Sequence, residues 1–163
     1  MAFTALDVKN LREKTGVGMM ECKKALTEAD GDMDRAFEIL RERGLAASEK
    51  KASRIAAEGA IIAYTDEDAK VTVLLEINSE TDFVGKNDKF QEFGLNVAKT
   101  IAANKPASVE ALADLTLAGS DRTVTENLND LILVIGENLK IRRFEIVEGD
   151  VVTYIHGGGA VGV

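Results

Sequence analysis

Residues 71–77 run V-T-V-L-L-E-I. Val71, Val73, Leu75 and Ile77 fall at every second position, the period at which a strand sends its side chains to one face. A strand with one apolar face needs neighbours to cover it. Upstream, the polar run D-E-D-A-K at residues 66–70 reads as a turn, and residues 59–65 as the strand before it. Downstream, Phe90, Phe93, Val97 and Ile101 recur at spacings of three and four, which predicts a helix ending before Pro106. Residues 109–115 add a short helix. From Thr125 onward, Leu128, Leu131, Ile132, Ile135 and Leu139 form a second helical stripe. Residues 141–147 and 151–155 predict a hairpin around Glu148, Gly149 and Asp150. Strands, then helices, then strands argue an α+β fold: a small antiparallel sheet packed with helices. This core is expected to occupy residues 59–163.

The chain ahead of it has a different period. Ala5, Val8 and Leu11 make one helical stripe, Met19, Cys22, Leu26 and Ala29 a second, and Met33, Ala36, Phe37 and Leu40 a third. Gly16 and Gly18 separate the first helix from the second, and Asp30–Gly31–Asp32 the second from the third, with Asp32 as an N-cap. Gly44 suits a C-terminal cap. Residues 1–45 thus read as a three-helix module, near the lower size limit for independent folding. Residues 46–58, rich in Ala, Lys and Glu and without Pro, read as a helical linker.

The chain has 28 acidic and 20 basic residues, for a formal net charge of −8, which argues against a phosphate backbone as ligand. The basic run E-K-K-A-S-R at residues 49–54 is short and interrupted. The single cysteine, Cys22, excludes an internal disulfide and metal sites built on several cysteines. The single histidine, His156, excludes histidine triads and multi-histidine metal sites. No G-x-x-x-x-G-K-[ST] phosphate loop is present, so the chain does not read as a GTPase. T-G-V-G at residues 15–18 follows a helix rather than a strand and lacks a third glycine, so it reads as an interhelical turn. Gly157, Gly158 and Gly159 read as a flexible turn rather than a phosphate cradle. No nucleophile–base pair stands out, and no cofactor or metal is expected. A secretory signal is not expected at the N-terminus, and the longest apolar runs fall far short of the roughly 20 residues of a membrane span. The expected compartment is the cytoplasm, and surface recognition is a better hypothesis than covalent chemistry.

Three segments carry a resemblance. They are T-G-V-G-M-M-E-C-K-K-A-L at residues 15–26, T-D-F-V at residues 81–84, and I-G-E-N-L-K-I-R-R at residues 135–143. In this order and at these separations they closely resemble the elongation factor Ts family, the nucleotide exchange factors of the GTPase elongation factor Tu. The resemblance implies that the first module is ubiquitin-associated-like and docks on the nucleotide-binding domain of that partner. Arg12, Met19, Met20 and Lys23 match the docking surface. It implies that Asp82 and Phe83 project from the core and enter the partner beside its Mg²⁺ and phosphate site. Phe83 would wedge between partner helices, and Asp82 would perturb the groups holding the metal and the β-phosphate. It further implies that Ile135 lies near the partner, and it aligns His156 with a histidine of the exchange interface.

Each of these residues also has a plainer reading. One of Met19 and Met20 is buried and the other half-covered, or one is exposed as a soft contact. Thr81 or Asp82 caps the next helix and Phe83 tucks beneath it as a staple, with Val84 following. Gly136 or Asn138 caps the helix that ends near Ile135. His156 is a structural histidine on a strand. Arg142 and Arg143 make surface ion pairs with Glu145 or Glu148.

The resemblance also marks a departure. Longer family members continue into a second half of the core, whereas this chain carries the three-helix module and one core half. It is therefore expected to be a fragment, or to pair with a second copy through an open strand edge at its C-terminus. The function expected is guanine-nucleotide exchange on elongation factor Tu. The alternative is an adaptor that docks without promoting exchange. A hydrolase or transferase would need an acid–base pair that the sequence does not offer.

Overall fold

Thr4 opens the first helix of the protein. Its hydroxyl accepts from the Asp7 N–H while Asp7 accepts from the Thr4 N–H, a reciprocal cap. The computed structural model describes residues 3–163. The first helix, α1, spans Ala5–Thr15, and Gly16 closes it in the left-handed conformation at φ 69°. Helix α2 spans Met19–Glu28, and α3 spans Met33–Lys51 behind an Asp32 cap that accepts from the Arg35 N–H. Their apolar stripes meet in one cluster that includes Leu11, Cys22, Leu26, Ala36, Ile39 and Leu40.

Gly44 does not end α3. It lies inside the helix and is buried, because another backbone presses on it: an added Cβ would sit 3.2 Å from the Asn129 carbonyl oxygen. Asn129 belongs to α6, Val124–Ile135, and residues 129–136 group with residues 1–52 as one compact unit. Leu133 and Val134 pack against the three-helix cluster.

Residues 53–128 and 137–163 form the other unit. Strands β1, Glu58–Asp66, β2, Val71–Ser79, and β3, Lys140–Glu148, make an antiparallel sheet in the order β1–β2–β3. Val71, Val73, Leu75 and Ile77 are all buried, as their alternation requires. Helix α4, Asp88–Asn104, lies over this face on β1 and β2 and buries Phe90, Phe93, Val97 and Ile101. It ends at Lys105 in the left-handed conformation, one residue before Pro106. A short helix α5, Val109–Ala113, follows behind a Ser108 cap. The fold is α+β, with an antiparallel sheet and helices packed on it.

Two details differ from expectation. Arg142 is an extra residue in β3, because Arg143 pairs with Glu76 and Ile141 with Ile77, so the ladder is bulged there. Arg143 Nε then lies 2.6 Å from Glu76 Oε2 across the strands, while Glu148 binds Lys105. Residues 151–155 do not pair back on β3. The Gly149 N–H donates to the Lys70 carbonyl, and Lys70 pairs with Asp150, which ties the chain to the β2 side. Instead β4, Ile155–His156, pairs with β5, Val161–Gly162, and the Ile61 N–H of β1 donates to the Gly159 carbonyl between them. That hairpin covers part of the β1 edge.

Candidate functional site

β2 ends at Ser79, whose hydroxyl donates to the Thr81 carbonyl at 2.7 Å and bends the chain sharply. A single 3₁₀ turn follows at Val84–Lys86, and Asn87 then caps α4 by accepting from the Lys89 and Phe90 N–H groups. With Asn87 in that place, neither Thr81 nor Asp82 caps the helix. Nor is Phe83 a staple beneath it: it is 81% exposed. Val84 is the buried foot of the turn, at 7%. Thr81, Asp82 and Phe83 are the exposed members of the T-D-F-V segment. The Asp82 side chain makes no hydrogen bond or ion pair among the described residues and borders a hollow lined also by Gly59, Gly85, Lys86, Gly158 and Gly159.

The glycines of that hollow are needed for close approach. A Cβ on Gly85 would lie 2.7 Å from the Gly59 carbonyl oxygen, and one on Gly159 would lie 2.8 Å from Ala60 Cβ. They let the turn, the start of β1 and the β4–β5 hairpin pass one another. This gives them a packing role.

The exposed turn is braced from residues 137–138. The Thr81 N–H donates to Glu137 Oε2 at 3.0 Å and the Thr81 hydroxyl to Glu137 Oε1 at 2.7 Å. In return the Asn138 N–H donates to Glu80 Oε1 at 2.7 Å. The Asn138 side-chain amide donates to the Arg54 carbonyl at 2.7 Å, and the Arg54 guanidinium lies 3.5 Å from Glu80. Gly136, at φ 83°, closes α6 just ahead of this brace, with its N–H on the Ile132 carbonyl. Ile135, the last residue of α6, is half-buried and belongs to the three-helix unit. His156 is exposed on β4, and its Nδ1 lies 3.0 Å from the Tyr154 hydroxyl.

In the three-helix unit, Met19 and Met20 are both exposed, at 51% and 66%. Neither serves the core, because Cys22, Ala25 and Leu26 supply the buried stripe of α2. Met20 and Lys23 border one groove together with Lys24, Thr27, Glu28 and Arg43. Arg43 spans two acids, with its guanidinium 3.0 Å from Glu21 and 2.8 Å from Glu28. Arg12 is exposed on α1. Cys22 is fully buried beside Thr15, and burial pushes its thiol pKa up.

Sequence reasoning missed the bracing roles of Glu80, Glu137 and Asn138; Asn138 entered only as a candidate helix cap, a place that Gly136 takes. Glu137 and Asn138 lie inside I-G-E-N-L-K-I-R-R and Glu80 directly precedes T-D-F-V, but a contact across more than fifty positions has no local signature. Among the described residues, no group of three or more His, Cys, Asp or Glu is placed to hold a metal ion. No helix among them is long and apolar enough to cross a membrane.

Residues 80–163 match the family described as Elongation factor TS. Across nearly the whole chain, the similarity is to proteins named Elongation factor Ts. That of Syntrophotalea carbinolica is 51% identical over 166 residues, covering 100% of this chain and 54% of that protein. That of Clostridium perfringens is 53% identical over 164 residues, covering 99% and 54%. That of Clostridium novyi is 54% identical over 164 residues, covering 98% and 54%. The chain spans about half the length of the curated relatives it matches.

Proposed function

We propose, given that this chain belongs to the elongation factor Ts family, that it promotes release of guanine nucleotide from elongation factor Tu during translation, in the cytoplasm and without covalent chemistry. The observation that carries this is Phe83, a large aromatic left 81% exposed on a braced turn. An exposed Phe contributes nothing to its own core. In the proposed complex Phe83 wedges between helices of the partner, and Asp82 disturbs the groups that hold Mg²⁺ and the β-phosphate. Val84 anchors the turn from below.

Magnitudes show that more than Phe83 is required. Burying one Phe stabilises by about 1.5–3 kcal/mol. Loosening a nucleotide a thousandfold needs about 4 kcal/mol. Further contacts therefore come from the ubiquitin-associated-like module through Arg12, Met19, Met20 and Lys23, and from Ile135 and His156. The factor weakens nucleotide binding to the same extent that nucleotide weakens binding of the factor. Pairing of two copies through the C-terminal hairpin, where Tyr154, Val161 and Val163 are exposed, belongs to the same proposal.

The test is release of a fluorescent GDP analogue from elongation factor Tu, with the parent chain and with Phe83→Ala. Acceleration by the parent that the substitution slows supports the reading. A second reading, docking without exchange, is favoured by Met19 and Met20, both exposed on the three-helix unit, which offer a contact surface of their own. It predicts binding to the partner with no acceleration.

A further inference from the structure

The brace on the exposed turn does more than finish a strand and a helix. β2 has ended at Ser79 and α6 at Ile135, so the amides of Thr81 and Asn138 lie outside both elements. Each finds a carboxylate on the other segment: Thr81 on Glu137, Asn138 on Glu80. Glu137 takes both donors of Thr81, one on each oxygen. Hydrogen bonds to an ionised carboxylate are shorter and stronger than neutral ones, and two parallel bonds also fix direction. Asp82 and Phe83 follow at once, and neither is held by contacts of its own side chain. Their placement depends on the backbone: the Phe83 carbonyl accepts from the Lys86 N–H, Val84 is buried, and Thr81 is held by Ser79 at its carbonyl and by Glu137 at its N–H and hydroxyl.

We propose that Glu137 is a positioning residue. Its carboxylate grips Thr81 and thereby presents Asp82 and Phe83 in the geometry that nucleotide release requires. The inference rests on the exchange reading above. With the grip removed, Thr81 keeps only the Ser79 bond to its carbonyl, and the segment from Thr81 to Phe83 loses part of its order, which engagement with the partner must then restore. Ordering a few backbone residues and one aromatic corresponds to a roughly 10- to 100-fold lower maximal release rate.

The experiment uses the full chain and four variants: Glu137→Ala, Glu137→Gln, Phe83→Ala and the double variant Glu137→Ala/Phe83→Ala. Glutamine can still accept from the Thr81 N–H and can donate to its hydroxyl, so it is the conservative rescue. Three quantities are measured: amide hydrogen exchange at Thr81 by NMR, thermal stability, and GDP release as a function of factor concentration. The expected result has four parts. Thr81 exchange quickens at least about tenfold in Glu137→Ala. The maximal release rate falls while the half-saturating concentration changes less than about threefold. Glu137→Gln restores most of the rate. In the Phe83→Ala background, adding Glu137→Ala costs little more, because residues acting through one another are not additive.

An equal loss in both backgrounds would mean that Glu137 acts independently of Phe83, and would overturn the proposal. So would a full release rate in a Glu137→Ala protein whose Thr81 amide has lost protection. A fall in rate that merely tracks a fall in folded fraction would reduce Glu137 to a structural role. No acceleration by the parent chain would instead overturn the exchange reading itself, and this shows in the parent before any variant is compared.

Discussion

Gly94 of α4 rests directly on Ile62 of β1: a Cβ built on Gly94 would lie 1.9 Å from Ile62 Cδ1 and 3.4 Å from Ile77 Cδ1. The helix that covers the sheet approaches it this closely because position 94 has no side chain. Gly94→Ala is therefore a contest between two effects. Alanine gains about 1 kcal/mol in helix propensity, and overpacking a core costs about 1–3 kcal/mol. The clashing atom is the terminal methyl of Ile62, which must turn aside within a packed core, so the substitution is expected to destabilise by a net of about 0–2 kcal/mol in urea unfolding. Ile62→Val removes the clashing methyl. The double variant Gly94→Ala/Ile62→Val should thus be more stable than the sum of the single effects predicts, and simple additivity would contradict this contact.

The two phenylalanines flanking the start of α4 should behave in opposite ways. Phe90 is fully buried, and Phe90→Ala is expected to cost about 3–5 kcal/mol. Phe83 is 81% exposed, and Phe83→Ala should leave stability within about 0.5 kcal/mol of the parent. Under the proposed exchange reading, the order reverses in the release assay. Loss of a Phe wedge worth about 1.5–3 kcal/mol corresponds to roughly 10- to 150-fold slower exchange. A large drop in melting temperature for Phe83→Ala would contradict the exposure of this side chain.

Where the sequence spoke through local periods, it was legible. Val71, Val73, Leu75 and Ile77 announced a strand, and Phe90, Phe93, Val97 and Ile101 the helix that covers it. What was illegible depended on distant chain. Gly44 has the composition of a helix end, yet its cause is the Asn129 backbone pressed against it. V-V-T-Y-I at residues 151–155 looks like a strand, but Gly149 bonds to Lys70 and holds the chain off β3. Asp82 stands where a cap could stand, but the intervening 3₁₀ turn moves that role to Asn87. The exposed turn itself was anticipated through family resemblance. The carboxylates bracing it were not, since Glu80 and Glu137 act across the fold and carry no local pattern.

Cys22 gives a test of the three-helix core. Its side chain is fully buried, with Sγ 3.5 Å from the Val17 carbonyl oxygen, and burial raises its pKa above the ordinary 9.0. Both effects suppress the reactive thiolate. A disulfide reagent at pH 8 should modify the native protein at least about a hundredfold more slowly than the urea-unfolded chain, at a rate set by local opening. Equal rates would mean that the cluster around Leu11 and Leu26 is not closed.

The cap of α1 gives a pH dependence of known sign. The Thr4 N–H donates to Asp7 Oδ2 at 2.7 Å and the Thr4 hydroxyl at 2.8 Å, and these bonds, the backbone one first, hold the Asp7 carboxyl below its ordinary 3.8. In the unfolded chain the bonds are gone, so around and below that value the unfolded state binds the extra proton first. Stability therefore rises with pH through this window. The contribution is fully present above the unfolded value and is lost as pH falls through the folded one. An Asp7→Asn variant should be less stable than the parent at pH 6, with the gap narrowing as pH falls below about 3.8. Thr4→Val removes the hydroxyl but not the backbone donor, so the Asp7 pKa should rise only partway when followed by carboxyl NMR. A gap between parent and Asp7→Asn that stayed constant from pH 6 to pH 2 would show that Asp7 is not held by Thr4 in solution.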